Sequence, residues 1–196
     1  MNYIPESELA ANVDMVESKL KPFGYNMICI DGWGDTSKIN TNGYRTSHSR
    51  NWIHDYQWWS DHLRSRGMKL GMYANPLWLN VDANNSNATI VGTNLLVSSL
   101  YAADDPWWVQ IDRPGAEAYV KGHIKHFKDM GIDYLRIDFL SWYETGTDRN
   151  FGNFTGTVPF TMAGGHPTQY ATTLPWIRKA ADEHGVFLSL VMPHLY

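Results

Sequence analysis

The chain lacks several features that would normally narrow a reading. Its only cysteine is Cys29, in 196 residues, which excludes an internal disulfide and a cysteine metal cage but leaves the compartment open. There is no basic run, and 16 Lys and Arg against 20 Asp and Glu give a formal net charge of −4. A nucleic-acid partner is therefore disfavoured. No apolar stretch reaches the roughly 18 residues of a membrane span, and Met1 to Glu6 shows neither a basic n-region nor an apolar h-region, so no signal peptide is expected. A Gly-rich phosphate loop and a Gly-x-Ser-x-Gly elbow are both missing. His123 and His126 stand three apart on an expected helix, but no carboxylate completes a zincin-like set. They are expected to be surface polar residues, with no metal and no cofactor.

Aromatic rings are abundant: 14% of the chain, with nine Trp and eleven Tyr. Trp33, Trp78, Trp107, Trp108, Trp142 and Tyr143 fall in expected loops. Amphipathic rings around a cleft suit sugar binding, because they offer an apolar face to C–H groups and a polar edge to hydroxyls. The competing reading is that Trp107 and Trp108 fill the gap beneath a long loop.

Hydrophobic periodicity predicts helices alternating with buried strands. Leu9, Val13, Val16 and Leu20 repeat at helical spacing between Glu6 and Lys21, with Pro22 and Gly24 ending the run. Tyr25 to Asp31 is a near-continuous apolar strand. A helix is expected over 54–65 and a strand over Met68–Ala74, ending at Asn75-Pro76. Residues 77–106 form an irregular segment too long for an ordinary connection, which suggests a binding loop; Trp107–Ile111 suggests one more short strand. A helix over 116–130 precedes Gly131-Ile132-Asp133-Tyr134-Leu135-Arg136-Ile137-Asp138, a strand whose alternation puts Tyr134 and Arg136 on one face and Leu135 and Ile137 on the other. After a second long loop comes a helix over 174–184, where Pro175 suits only the first turn, and a last strand over 186–192.

Helix–strand alternation repeated four times predicts an α/β domain with a parallel sheet over 1–196. Open sheets and closed barrels of this class both place chemistry at the carboxyl ends of strands, where Asp31, Asn75, Asp138 and Met192 fall. Asp138 or Asp31 as a mere strand-end cap is the competing reading. A closed (β/α)8 barrel needs eight strands and about 250 residues. Four or five strands here suggest a TIM barrel present only in part, about strands 2–5.

Three segments, Cys29-Ile30-Asp31-Gly32-Trp33, Lys69-Leu70-Gly71-Met72-Tyr73 and Asp133-Tyr134-Leu135-Arg136-Ile137-Asp138, resemble in order and spacing the α-galactosidase clan, glycoside hydrolase families 27 and 36. The resemblance implies a (β/α)8-barrel retaining enzyme acting on α-galactoside-like substrates without metal or cofactor. It implies that Asp138, ending the fourth strand of the family barrel, is the nucleophile. Asp31, Trp33, Tyr73 and Arg136 would line the sugar pocket. The general acid/base would lie beyond Tyr196, and an extracellular or periplasmic setting would be usual. A retaining glycosidase needs one ionised carboxylate to form the glycosyl ester and a second about 5 Å away to protonate the leaving oxygen. Three departures touch sugar recognition. The clan has two adjacent aspartates where Asp31 stands alone, a lysine where Arg136 stands, and a Glu-Trp-Pro motif where Val191-Met192-Pro193 stands. An α-glucoside or L-arabinopyranoside therefore fits as well as a galactoside. A carbohydrate-binding relic without catalysis is the alternative from another class.

Overall fold

The computed structural model describes residues 4–32, 34, 38–79, 86–103, 108–138, 140 and 167–191. Four strands form one sheet in the order β1 (Met27–Ile30), β2 (Lys69–Tyr73), β3 (Tyr134–Ile137) and β4 (Phe187–Leu190), every pair parallel. Among the described residues, each strand is preceded by an α-helix: α1 (Glu6–Met15) before β1, α2 (Tyr56–Ser65) before β2, α3 (Ala116–Asp129) before β3 and α4 (Pro167–His184) before β4. Sheet order follows chain order, as expected when each helix carries the chain back to start the next parallel strand.

The helices and one face of the sheet share a single core. Ile28, Ile30, Leu70, Met72, Leu135 and Ile137 are buried there with Leu63 of α2, Val120, Ile124 and Phe127 of α3, and Ile177 and Ala181 of α4. On the opposite face Met27 and Phe187 are exposed, and Cys29, Tyr134 and Arg136 are half-buried. A doubly wound sheet would have helices on both faces. Among the described residues this one is covered on one face only, so its strand residues divide into an apolar set facing the helices and a more polar set on the uncovered face.

Several elements differ from expectation. Helix α1 passes at Val16–Leu20 into a π-turn and then, at Lys21–Phe23, into a 3₁₀ turn ending at Gly24 with φ of +92°. The wider turn shifts the helical phase: Leu9 and Val13 are buried, while Leu20 is turned outward. Glu6 at the start of α1 staples it to α2, accepting from the amides of Ile53 and His54, from His54 Nδ1 and from Trp59 Nε1. Helix α4 begins seven residues before its expected start at 174, so Pro175 lies well inside it. An interior proline costs about 3 kcal/mol of helix stability; burial of Ile177, Ala180 and Ala181 is the compensating packing. Among the described residues, 108–111 form no strand; Trp108 makes an isolated antiparallel bridge to Trp78. Leu77, Leu79, Ile90, Val97, Leu100 and Trp108 are fully buried and join the same core as the sheet and helices. Trp108 accordingly fills space under the loop, edge-on to Trp78 at 4.9 Å, instead of rimming a cleft. Trp107, Trp142 and Tyr143 lie outside the described residues.

The histidine pair is also placed differently from expectation. His123 is buried, its ring stacked between Tyr44 and Phe127 at centroid distances of 5.1 and 5.3 Å. His126 is half-buried, with Nε2 against the Arg45 carbonyl oxygen and Nδ1 against Asn40. A helix is read as surface when its polar residues share a face, but here the 38–46 segment lies over that face. Gly122 allows the close approach. A Cβ there would sit 2.4 Å from Tyr44 Oη and 2.6 Å from Val91 Cγ1. Gly122→Ala is expected to destabilise the protein by roughly 1–3 kcal/mol despite its better helix propensity, read as a lower urea midpoint with unchanged m-value.

Candidate functional site

The site grows from the register of the sheet. Cys29 pairs with Gly71, Gly71 with Tyr134, and Tyr134 with Phe187, so these four side-chain positions form one layer on the uncovered face. Gly71 leaves room for its neighbour: a Cβ there would lie 2.9 Å from Tyr134 Cδ1. The Tyr134 ring stacks on Phe187 at 5.8 Å and 8°. Two residues further along, towards the carboxyl ends, Tyr73 pairs with Arg136 and Arg136 with Ser189. Asp31 and Asp138 follow just beyond the last residues of β1 and β3. A parallel sheet therefore brings Asp31, Tyr73, Arg136 and Asp138 to one end and one face, as the sequence alternation predicts.

Arg136 spans β2 to reach β1. Its Nη1 donates to both carboxylate oxygens of Asp31, at 2.7 and 2.6 Å, and its guanidinium carbon lies 5.6 Å from the Tyr73 ring centroid. Partial burial works against the cation, but the Asp31 hydrogen bond, then the charges of Asp31 and Asp138, raise its pKa further. The cation is thus shared between two acids, held by hydrogen bonds to Asp31 and acting on Asp138 through its charge. The Tyr73 hydroxyl donates to Asp138 Oδ2 at 3.4 Å. Desolvation first, then the Asp138 charge and hydrogen bond, push the phenol far up, which keeps it a proton donor. Cys29, beneath Asp31, is pushed up to about 12 by burial and then by the Asp31 charge; it is a neutral thiol in the floor, not a nucleophile.

The structure therefore brings together four of the five sequence-predicted residues: Asp138, Asp31, Tyr73 and Arg136. Trp33 lies outside the described residues, as do Met192 and Pro193. Sequence reading noted Asn75 only as a strand end. It is buried, and its carboxamide bonds the backbone carbonyl of Asp138 at 2.8 Å. The signal was Asn75-Pro76 itself, a side-chain donor next to a residue with no N–H. Among the described residues no group of three His, Cys, Asp or Glu could hold a metal. The arrangement offers one carboxylate with a phenol donor and a nearby cation, plus a second carboxylate already tied to that cation. Such a set can bind a polyhydroxylated ligand and supply one oxygen for covalent or base chemistry.

No family model matches the chain. It is 40% identical to an isomalto-dextranase from Arthrobacter globiformis, over 98% of this chain but 31% of the relative. The solved structure of isomalto-dextranase from Arthrobacter globiformis T6, complexed with panose, superposes with a TM-score of 0.90 at 37% identity, covering 99% of this chain and 33% of that one. A GH27 β-L-arabinopyranosidase from Geobacillus stearothermophilus, in complex with arabinose, superposes with a TM-score of 0.64 at 18% identity, covering 98% and 46%. The chain spans about a third of the length of the curated relative it matches. The resemblance to the α-galactosidase clan read from the three motifs holds: GH27 enzymes share this fold over nearly the whole chain.

Proposed function

We propose that this chain carries the nucleophile side of a retaining glycoside hydrolase site, with Asp138 attacking the anomeric carbon. The observation that supports it most is the convergence of Asp138, Tyr73, Arg136 and Asp31 at the carboxyl ends of three adjacent parallel strands. Asp138 Oδ attacks the anomeric carbon while the leaving oxygen takes a proton from a second acid. Water, deprotonated by that same acid, then cleaves the ester and restores the starting configuration. Tyr73 orients Asp138 through its hydroxyl, and Arg136 stands beside it as a fixed cation. Asp31 is ill-suited as the second acid, because both its oxygens accept from a guanidinium and a proton there would break that pair. The partner acid is assigned to a segment outside the described residues, and the uncovered sheet face to the interior of a (β/α)8 barrel of which these are about strands 2–5.

For the sugar, an α-glucan is favoured over an α-galactoside. Identity to the isomalto-dextranase is 40%, against 18% to the GH27 β-L-arabinopyranosidase. The positions that depart from the galactosidase pattern, Asp31 without an adjacent aspartate and Arg136 in place of lysine, are the two that pair with each other. The full-length protein is expected to release isomaltose from dextran with retention at the anomeric carbon, followed by proton NMR of early products. It should act far more weakly on p-nitrophenyl α-D-galactopyranoside. Inverted product would overturn the retaining mechanism; binding of dextran without any hydrolysis would favour a carbohydrate-binding relic.

A further inference from the structure

We infer that Asn75 is a positioning residue for Asp138, supplying from its side chain the sheet hydrogen bond that Pro76 cannot make. This rests on the reading of Asp138 as nucleophile and adds how that oxygen is held.

In a parallel ladder the amides of every second residue on one strand donate to every second carbonyl of the next. Between β2 and its neighbour the last backbone rung runs from the Ala74 amide to the Arg136 carbonyl oxygen, at 3.1 Å. The next rung would run from residue 76 to the Asp138 carbonyl. Residue 76 is proline and has no N–H. On the other side of β3 the backbone ladder continues normally, with the Val191 amide donating to the Ile137 carbonyl at 2.8 Å. Asp138 thus stands at the point where pairing to β2 would stop.

Asn75 fills that place. Its Nδ2 donates to the Asp138 carbonyl oxygen at 2.8 Å, while its Oδ1 accepts from the Leu77 amide at 2.9 Å. Its own carbonyl accepts from the Trp78 amide at 3.0 Å. The second bond fixes which way the carboxamide faces, because only the oxygen can accept from an N–H. Asn75 is 2% exposed, so water does not readily replace it. The backbone of Asp138 is therefore anchored one rung past the end of β2–β3 pairing, and its carboxylate is aimed by that anchor as well as by Tyr73. A displacement of about 1 Å at a reacting group can cost roughly 100-fold in rate.

The test uses the full-length protein, with dextran as substrate and 5-fluoro-α-D-glucosyl fluoride to titrate competent sites. Asn75→Ala is expected to lower kcat per titrated site roughly 10- to 100-fold with KM changed much less, because sugar contacts are intact. The double variant Asn75→Ala/Pro76→Ala restores an N–H at residue 76 and is expected to recover most of the lost kcat. Titration separates slow enzyme from unfolded enzyme, so poor folding of the single variant does not obscure the result. A kcat per site equal to wild type in Asn75→Ala, or a double variant no faster than the single, would overturn the assignment. Asp138→Asn is run alongside: if it retains turnover, the nucleophile reading has failed, whereas an inactive Asp138→Asn beside a normal Asn75→Ala means that only the positioning role has.

Discussion

Asp138→Asn in the full-length protein is expected to remove turnover, by roughly 10⁴-fold or more on the scale seen when other catalytic nucleophiles are deleted, while leaving sugar binding largely intact. The substitution is nearly isosteric and changes little but the charge. The amide oxygen can still accept from the Tyr73 hydroxyl, now 3.4 Å from Oδ2, and the backbone anchor through Asn75 does not involve the side chain. The Arg136–Asp31 pair, at 2.6 and 2.7 Å, is likewise untouched. What is lost is an anionic oxygen able to form and later release an ester. The loss should therefore fall on kcat, with affinity for a short α-glucan oligosaccharide by calorimetry changed only a few-fold. Undiminished turnover would remove Asp138 from the role.

The second large effect concerns stability in acid. His123 is buried, and its pKa falls from 6.5 to about 3, chiefly through desolvation and then through the charges of His126 and Arg45, against a hydrogen bond to the Pro76 carbonyl. Tyr44, Tyr119 and Phe127 surround the ring, and among the described residues its Nδ1 has no hydrogen-bond partner. The folded protein keeps this imidazole neutral, whereas the unfolded chain binds a proton below its ordinary pKa. The contribution of His123 is fully present above pH 6.5 and is lost as pH falls towards 3, at up to about 1.4 kcal/mol per pH unit. Glu6 acts in the same direction. Burial opposes its charge, but hydrogen bonds from the Ile53 and His54 amides, Trp59 and His54 win and lower its pKa. It therefore stabilises above the ordinary carboxylate range and is lost in stronger acid. His123→Phe keeps an aromatic ring between Tyr44 and Phe127 while removing the imidazole that would have to take up a proton. It should flatten the loss of stability between about pH 7 and about pH 4. Parallel urea melts of both proteins check this; an unchanged acid slope in the variant would contradict it.

These two sites differ in how far they could be read from residue order. The apolar runs ending in Asp31 and Asp138 mark buried parallel strands, and a period of two places Tyr73 and Arg136 on one side. Register in a parallel sheet then brings them together, so the cluster was legible. The ends of elements were less so. Tyr25 is 67% exposed and stays outside β1, because an apolar ring is no guide to where pairing begins. Pro175 and the π-turn after α1 depend on tertiary packing that outweighs local propensity. The burial of His123 is not legible in the sequence, because helix periodicity says which residues share a face but not that the distant 38–46 loop, admitted by Gly122, covers it. The Arg136–Asp31 bond joins residues 105 apart, and no spacing rule reaches across an intervening strand.

Covalent trapping tests the central claim most directly. The full-length protein is incubated with 5-fluoro-α-D-glucosyl fluoride, digested, and its peptides sequenced by mass spectrometry. The account predicts a single fluoroglucosyl ester on the Asp138 side chain, absent from Asp138→Asn. An ester on Asp31 or on any other carboxylate, with Asp138 unmodified, would contradict it.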